Sequence, residues 1–325
     1  MQTNVFSALA RCASAIIRWR FDGAMAALVA SAIGVATAPM TQALQGQAGT
    51  LAWLVDLASH WQWLYVMFAS IAGALLLARG AWLAPGAAGV LIAIVWACTS
   101  APLPAGTVGT RPGLTIVSAN LQIGRADLDR LRQWAGTRHA DIVVLQELTA
   151  NAADQLQRWS EYPYRVLRPE EGPFGLAILS RHPLHAPQIV EHIDQPQRVR
   201  TELDWYGHRV AISAVHPMPP LNPAQHARRA ALVEAEASWA LNTTTPALVV
   251  GDLNASPWSS SMHGPGVGTL RRASAMTPTW PAALPVLPID QVLATTHWRR
   301  LNATTGPSFG SDHRPVVATL MLAPA

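Results

Sequence analysis

The uneven spread of charge along the chain constrains its fold more than any other feature. The first hundred residues hold four arginines (Arg11, Arg18, Arg20, Arg79) and two acids (Asp22, Asp56), while the rest hold nineteen arginines and seventeen acids. A nearly charge-free segment is thus joined to one with the charge of an ordinary globular domain. Within the first segment, apolar stretches run at about 23–40, 61–78 and 81–98. Each is close to the roughly 17–25 residues that carry a helix across a bilayer. The second opens with Trp61-Gln-Trp-Leu-Tyr65, aromatics suited to a membrane interface. The third contains Pro85, which a membrane helix tolerates near its end. The alternative for each is a buried helix of a soluble protein, and the Ala-rich first stretch is the weakest of the three.

Arginine placement sets the expected orientation. Arg11, Arg18 and Arg20 precede the first stretch, Arg79 separates the second from the third, and no arginine lies between Asp22 and Arg79. The positive-inside rule then puts both arginine-bearing ends inside. The expectation is a multi-pass inner- or cell-membrane protein whose later residues face the periplasm or cell exterior, with the lipid bilayer as a partner. A cleaved signal competes for the first stretch, since Ala36-Thr-Ala38 has the small-x-small pattern of a cleavage site, although Pro39 follows it directly.

Composition removes several function classes. All 23 basic residues are arginine, so Schiff-base and P-loop lysine chemistry is excluded. Two cysteines, Cys12 and Cys98, are too few for a disulfide scaffold and read as unpaired small apolar residues. A formal charge of +4 says little about partners. The expected organisation is a membrane region at 1–98, a Pro/Gly/Ala-rich linker at 99–112 and a catalytic domain at 113–325.

The last part alternates strand and helix patterns. Strands are expected at 114–120, 141–147, 175–180, 198–206, 208–215, 247–250, 289–293 and 313–320, and helices at 126–138 and from Asn222-Pro223 to about Leu241. The class is α/β with substantial antiparallel pairing. Segment 255–285 is Pro-rich, contains Trp258 and Trp280, and has no assignable pattern.

Polar residues recur just after the apolar runs: Asn120, Glu147, His216, Asp252 with Asn254, Asp290, and Asp312 with His313. Singly these are turn-formers, helix caps or loop histidines. Together they supply the carboxylates and imidazoles of a hydrolytic site, and burying them one by one would be costly. The ordered set Ser-Ala-Asn120, Leu-Gln-Glu147, Gly-Leu-Ala-Ile-Leu-Ser180, Val-His216-Pro, Gly-Asp252-Leu-Asn254, Ile-Asp290-Gln-Val and Ser-Asp312-His313-Arg-Pro resembles the endonuclease/exonuclease/phosphatase superfamily over about 112–322.

That resemblance implies a four-layer α/β/β/α sandwich, here preceded by an N-terminal helical transmembrane region. It implies a metal site at Glu147 with Asn120, supported by Asp312. Oxygen ligands without cysteine favour Mg²⁺ or Mn²⁺. It assigns His313 to the attacking water or the developing phosphorane charge, Asp290 to holding the His313 ring, and Asp252 to the water. Asn254 and His216 would donate to non-bridging oxygens. The family pattern often has His or Tyr where this chain has Gln291. The expected partner is a phosphoester substrate, nucleic acid or phospholipid head group, with no protein partner inferred. A phosphodiesterase, a phosphatase or phospholipase-type enzyme acting on lipid head groups, and a non-catalytic phosphate-binding module all remain open. The pairs Arg228-Arg229, Arg271-Arg272 and Arg299-Arg300, with Arg198 and Arg200, read equally as phosphate contacts or as solvated surface. His182, His185 and His226 read as solvated.

Overall fold

Ile142-Val-Val-Leu145 and Ala247-Leu-Val-Val250 are continuous apolar runs, and only strands covered on both faces can bury such runs. The computed structural model describes residues 2–107 and 112–323, with side chains from Asp22 onward. Four helices come first: α1 (Gln2–Ala43), α2 (Thr50–Ser59), α3 (Gln62–Leu77) and α4 (Ala84–Ala97). Then follow β1 (Leu114–Asn120), α5 (Leu128–Thr137), β2 (Ile142–Gln146), α6 (Ala150–Leu156), β3 (Tyr164–Arg168) and β4 (Leu176–Ser180). The second half holds β5 (Leu184–His192), β6 (Gln195–Trp205), β7 (His208–Val215), α7 (Pro223–Asn242) and β8 (Ala247–Asp252). The chain closes with β9 (Arg271–Arg272), β10 (Asp290–Ala294), β11 (Trp298–Thr305) and β12 (Val316–Leu322).

Two six-stranded sheets form, ordered β11-β12-β1-β2-β4-β3 and β5-β6-β7-β8-β10-β9. Among the described strands, β1–β2 and β7–β8 pair in parallel and the other neighbours antiparallel. Between the sheets lies one core, in which Ile116, Val144 and Ile178 meet Ile212, Leu248 and Val292. Helices α5 and α6 cover the first sheet through Leu131, Ala135 and Leu156, and α7 covers the second through Leu232, Val233 and Ala237. The four-layer sandwich expected from the sequence is the one that forms.

The N-terminal helices pack the other way round. Inside, small side chains (Ala38 of α1, Ala69 and Ala72 of α3, Ala84 and Ala88 of α4) pack among a few larger ones such as Val35, Leu76 and Val95. A Cβ at Gly34 would lie 2.5 Å from the Tyr65 ring, so the close approach of α1 and α3 requires glycine there. Large apolar side chains point outward: Ile33 is 68% exposed, Val90 60% and Ile71 52%. One helix segment, Asp22–Ala43, is long and apolar enough to cross a bilayer, and α2 and α3 pass that test only as a pair bent by 58°. Helix α4 has 14 residues, about 21 Å by its rise, short of about 30 Å of hydrocarbon. The expected third stretch is shorter as a helix because turns at 80–83 delay its start and, past Cys98, Ser100 N–H already donates to Pro257 of the sandwich at 2.9 Å. Cys98 is buried and unpaired; Cys12, Arg11, Arg18 and Arg20 lie outside the described side chains.

The segment expected as a linker straps the sandwich. Leu103 N–H donates to Arg272 of β9 and Gly106 N–H to Arg300 of β11, so the strap touches both sheets. Residues 108–111 lie outside the described residues. Segment 255–285 is ordered by long-range contacts, since Trp258 is fully buried and its indole donates to the Val95 carbonyl at 2.9 Å.

Candidate active site

The parallel strands place their C-terminal ends together. Asn120 ends β1, Glu147 follows β2, His216 follows β7 and Asp252 ends β8. Gly251 is forced by this geometry, because a Cβ there would sit 1.9 Å from the Val215 carbonyl oxygen. Glu147 has a left-handed backbone (φ 58°), as does Asn254 (φ 48°), so each leaves its strand end on a sharp turn. For Glu147 that conformation costs about 1–3 kcal/mol, and its carboxylate is held against groups of the opposite sheet.

Asn120 bridges the two sheets. Its amide nitrogen donates to Glu147 at 2.9 Å and to Asp252 at 3.1 Å, while its oxygen accepts from Gln122 N–H. In this arrangement Asn120 orients two carboxylates. His216 donates from Nδ1 to the Asp252 carbonyl at 3.2 Å, and its Nε2 lies 3.5 Å from Glu147. Asn254 N–H donates to Asp252 at 2.9 Å, and one of its amide hydrogens goes to the Pro217 carbonyl at 3.0 Å. On the far side, His313 donates from Nδ1 to Asp290 at 3.0 Å, and its Nε2 faces Asp252 at 3.5 Å. Asp312 accepts the Trp280 indole N–H at 3.2 Å.

Electrostatics follow from this packing. Burial disfavours the charged His313 ring, yet Asp290 and Asp252 outweigh it and push its pKa up to about 10. Burial likewise opposes charge on His216, and Glu147 and Asp252 raise it nonetheless. Burial would raise Glu147, but hydrogen bonds from His216 and Asn120 bring it below the ordinary carboxylate value. Asp252 is raised by burial, against the pull of His313 and with a push from Asp290. The cluster therefore interleaves carboxylates with imidazoles whose pKa values they raise.

Two places suit a hard divalent cation. Asp252, Asp290 and His313 offer ligand atoms within 4.8 Å of one another, and Asp290 Oδ1 is buried without a hydrogen-bond partner. Glu147 offers a carboxylate beside Asn120. Neither place has a thiolate, which suits Mg²⁺ or Mn²⁺.

Glu147, His216, Asp252, Asn254, Asp312 and His313 all line one cavity of about 390 Å³. Other lining residues were not marked as site residues by the sequence, notably Leu57, His60 and Trp61 from the N-terminal region. Phe174, whose ring centroid lies 5.9 Å from that of His216, is another. Gln291 turns away from the cavity, its oxygen accepting from Ser274 at 2.7 Å and its amide nitrogen donating to Pro288.

The arginine pairs are largely engaged elsewhere. Arg229 is fully buried against Asp56, Arg198 and Arg200 both bond Glu236, and Arg272 is buried. His226 is also buried, bonded to Ser260 and 3.6 Å from Asp56, which corrects its reading as solvated. His182 pairs with Asp141 at 3.1 Å.

The sequence profile of the Endonuclease/Exonuclease/phosphatase family matches residues 117–313, from within β1 through His313. The chain belongs to that family. No curated protein matches this family member in sequence. Solved structures share its fold. A humanized D. rerio TDP2 is 14% identical with a TM-score of 0.54, over 64% of this chain and 99% of that one. An endonuclease/exonuclease/phosphatase from Beutenbergia cavernae is 20% identical with a TM-score of 0.54, over 66% and 73%. A mannosyl-6-phosphatase from Bacteroides thetaiotaomicron is 14% identical with a TM-score of 0.51, over 64% and 100%. The shared part is the sandwich of a phosphoester hydrolase fold.

Proposed function

We propose that this protein is a divalent-metal-dependent phosphodiesterase held in a membrane by its N-terminal helices, with the catalytic sandwich on the periplasmic or outer face. The observation that carries the reading is the convergence of Glu147, His216, Asp252 and His313 on one cavity, contributed by both sheets.

Glu147 is assigned to hold the metal, oriented by Asn120 and supported by Asp312. A bound Mg²⁺ or Mn²⁺ would supply charge neutralisation at a non-bridging phosphate oxygen. We assign proton work to the Asp252–His313–Asp290 array, because both His313 ring nitrogens face carboxylates, which makes the ring a donor rather than a ligand. Asp290 fixes the ring through Nδ1. Asp252, with one oxygen anchored by Asn254 N–H, presents the other toward His313 Nε2, and the attacking water is assigned beside this pair. His216 and the unengaged amide hydrogen of Asn254 face the phosphate oxygens. Such preorganised donors contribute the largest part of transition-state stabilisation in many enzymes.

Support for the membrane reading comes from the outward apolar faces of α1, α3 and α4, the reverse of a water-soluble bundle. The arginine distribution supports the outward orientation. Purified full-length chain with Mg²⁺ or Mn²⁺ is expected to hydrolyse a chromogenic phosphodiester, and to lose that activity with chelator and in Asp252→Ala or His313→Ala. Turnover that survives in either folded variant overturns the mechanism. A C-terminal reporter active only in the cytoplasm overturns the orientation.

A further inference from the structure

Beside its polar groups, the cavity has an extensive apolar lining. Phe174, Pro220, Leu221 and Leu287 come from the sandwich, while Leu57 and Trp61 come from α2 and the turn after it. Among the described residues no arginine lines this cavity, and the sequence has no lysine. A polynucleotide held there would lack the arginine or lysine contacts to phosphates next to the scissile one, the contacts that dominate nucleic-acid affinity.

The N-terminal wall is fixed in place. Asp56, beside Leu57, is fully buried, pairs with Arg229, and accepts from Ser259 at 3.0 Å and from Ser260 N–H at 2.7 Å. His60 Nδ1 accepts the Ser256 N–H at 3.2 Å. Trp53 donates its indole N–H to the Pro220 carbonyl at 2.7 Å. Helix α2 therefore holds both loops that flank the site, the one after His216 and the one after Asp252. Two apolar residues that line the cavity, Trp61 and Leu221, are also exposed at the surface, by 36% and 71%.

We infer that the substrate is amphiphilic, a phosphoester whose phosphate meets Glu147, His216, Asp252 and His313 and whose apolar chain lies against Leu57, Trp61, Phe174, Pro220 and Leu221. This rests on the hydrolase reading above and adds the substrate class. The apolar wall has no other function in that chemistry, whereas an alkyl chain on it would gain about fourfold in binding per buried methylene.

The test uses full-length protein at fixed detergent and metal, with 4-nitrophenyl phosphodiesters bearing methyl, butyl or hexyl groups and a diacyl phospholipid in mixed micelles. The expected result is that kcat/KM rises at least tenfold from methyl to hexyl, mainly through KM. Leu57→Ser and the rim variant Leu221→Ser should each reduce the hexyl-to-methyl ratio at least threefold. Cleavage of the phospholipid as well marks the bilayer as the source, and cleavage of the hexyl diester alone marks a soluble amphiphile; both support the inference. Turnover with no dependence on chain length overturns it and leaves the hydrolase reading standing. No turnover on any ester, with a folded protein and either metal, overturns the hydrolase reading and the inference with it.

Discussion

Asp56 on α2 and Arg229 on α7 form an ion pair with no solvent exposure, and the same guanidinium donates to the backbone carbonyl of Asn254. One arginine thus ties an N-terminal helix to the loop that carries a site residue. Removing one member of a buried pair leaves an uncompensated charge, whereas replacing both with apolar groups is often tolerated. Asp56→Asn is expected to destabilise the full chain by about 3 kcal/mol and to lower kcat/KM. Asp56→Leu combined with Arg229→Met should recover part of the stability but not the activity, because the bond to Asn254 stays lost. Chemical denaturation and steady-state kinetics on the single and double variants read both effects; equal recovery of the two would show that Arg229 acts on stability alone.

A chain begun at Pro112 keeps both sheets but lacks Asp56, His60 and Trp53. It leaves Arg229 buried without its acid and Ser256 N–H without its acceptor. It is expected to melt below the full chain and to hydrolyse a short phosphodiester at under a tenth of its rate. Equal rates from the two proteins would make the N-terminal helices dispensable for the site.

Asp290 holds His313 charged up to about pH 10, with Asp252 assisting. Asp290→Asn removes the larger carboxylate effect, so the ring loses its proton at lower pH. The alkaline limb of the kcat profile is expected to shift to lower pH, with a fall in kcat of about 10²–10⁴-fold, the usual range for a positioned acid or base. Pre-steady-state rates across pH 6–11 check the limb. An unchanged limb would remove His313 from the proton-transfer role.

The two candidate cation positions separate by mutation. Glu147→Gln is expected to weaken Mn²⁺ binding at least tenfold in calorimetry, in line with the 10–100-fold effects seen even for groups around a metal's ligands. Asp290→Asn should leave it within about threefold, below that range. The reverse pattern would place the ion among Asp252, Asp290 and His313.

Away from the site, Glu236 is fully buried and accepts from Arg198, Arg200 and Ser213. Burial would raise its pKa, but these partners outweigh burial and hold it below the usual carboxylate value. A lowered folded pKa contributes stability above the unfolded value of about 4.3, and that contribution is lost as pH falls toward the folded value. Glu236→Gln is expected to cost about 3 kcal/mol at pH 7, with the gap to wild type closing below about pH 4. A pH-independent gap would show that the loss comes from packing rather than charge.

The sandwich is legible in the sequence where strands are covered on both faces. Ile142–Leu145 and Ala247–Val250 leave no alternative to burial, and two residues past each run comes a carboxylate, Glu147 or Asp252, that lines the cavity. Edge strands are not legible. β3 reads Tyr-Arg-Val-Leu-Arg and β5 carries His185, Pro187 and His192, so neither shows an apolar run or a clean alternation. Helix α2 is not legible because Asp56 interrupts its apolar pattern, and the arginine that pairs with it lies 173 residues away in sequence. The burial of His226 is hidden for the same reason. Segment 255–285 has no local period to read; its order comes from contacts such as Glu234 accepting the N–H groups of Gly266 and Val267.

The two sheets follow one plan. Each centres on a parallel pair, β1–β2 or β7–β8, bridged by one helix and flanked on both sides by antiparallel partners. Each pair delivers two polar residues at the same end, Asn120 and Glu147 from one, His216 and Asp252 from the other. The pocket is therefore the seam of an internal pseudo-dimer, and the Asn120–Asp252 bond crosses that seam. Neither sheet alone carries the full set of site residues and both share one core, so in this molecule activity is a report that two similar layers have docked in register.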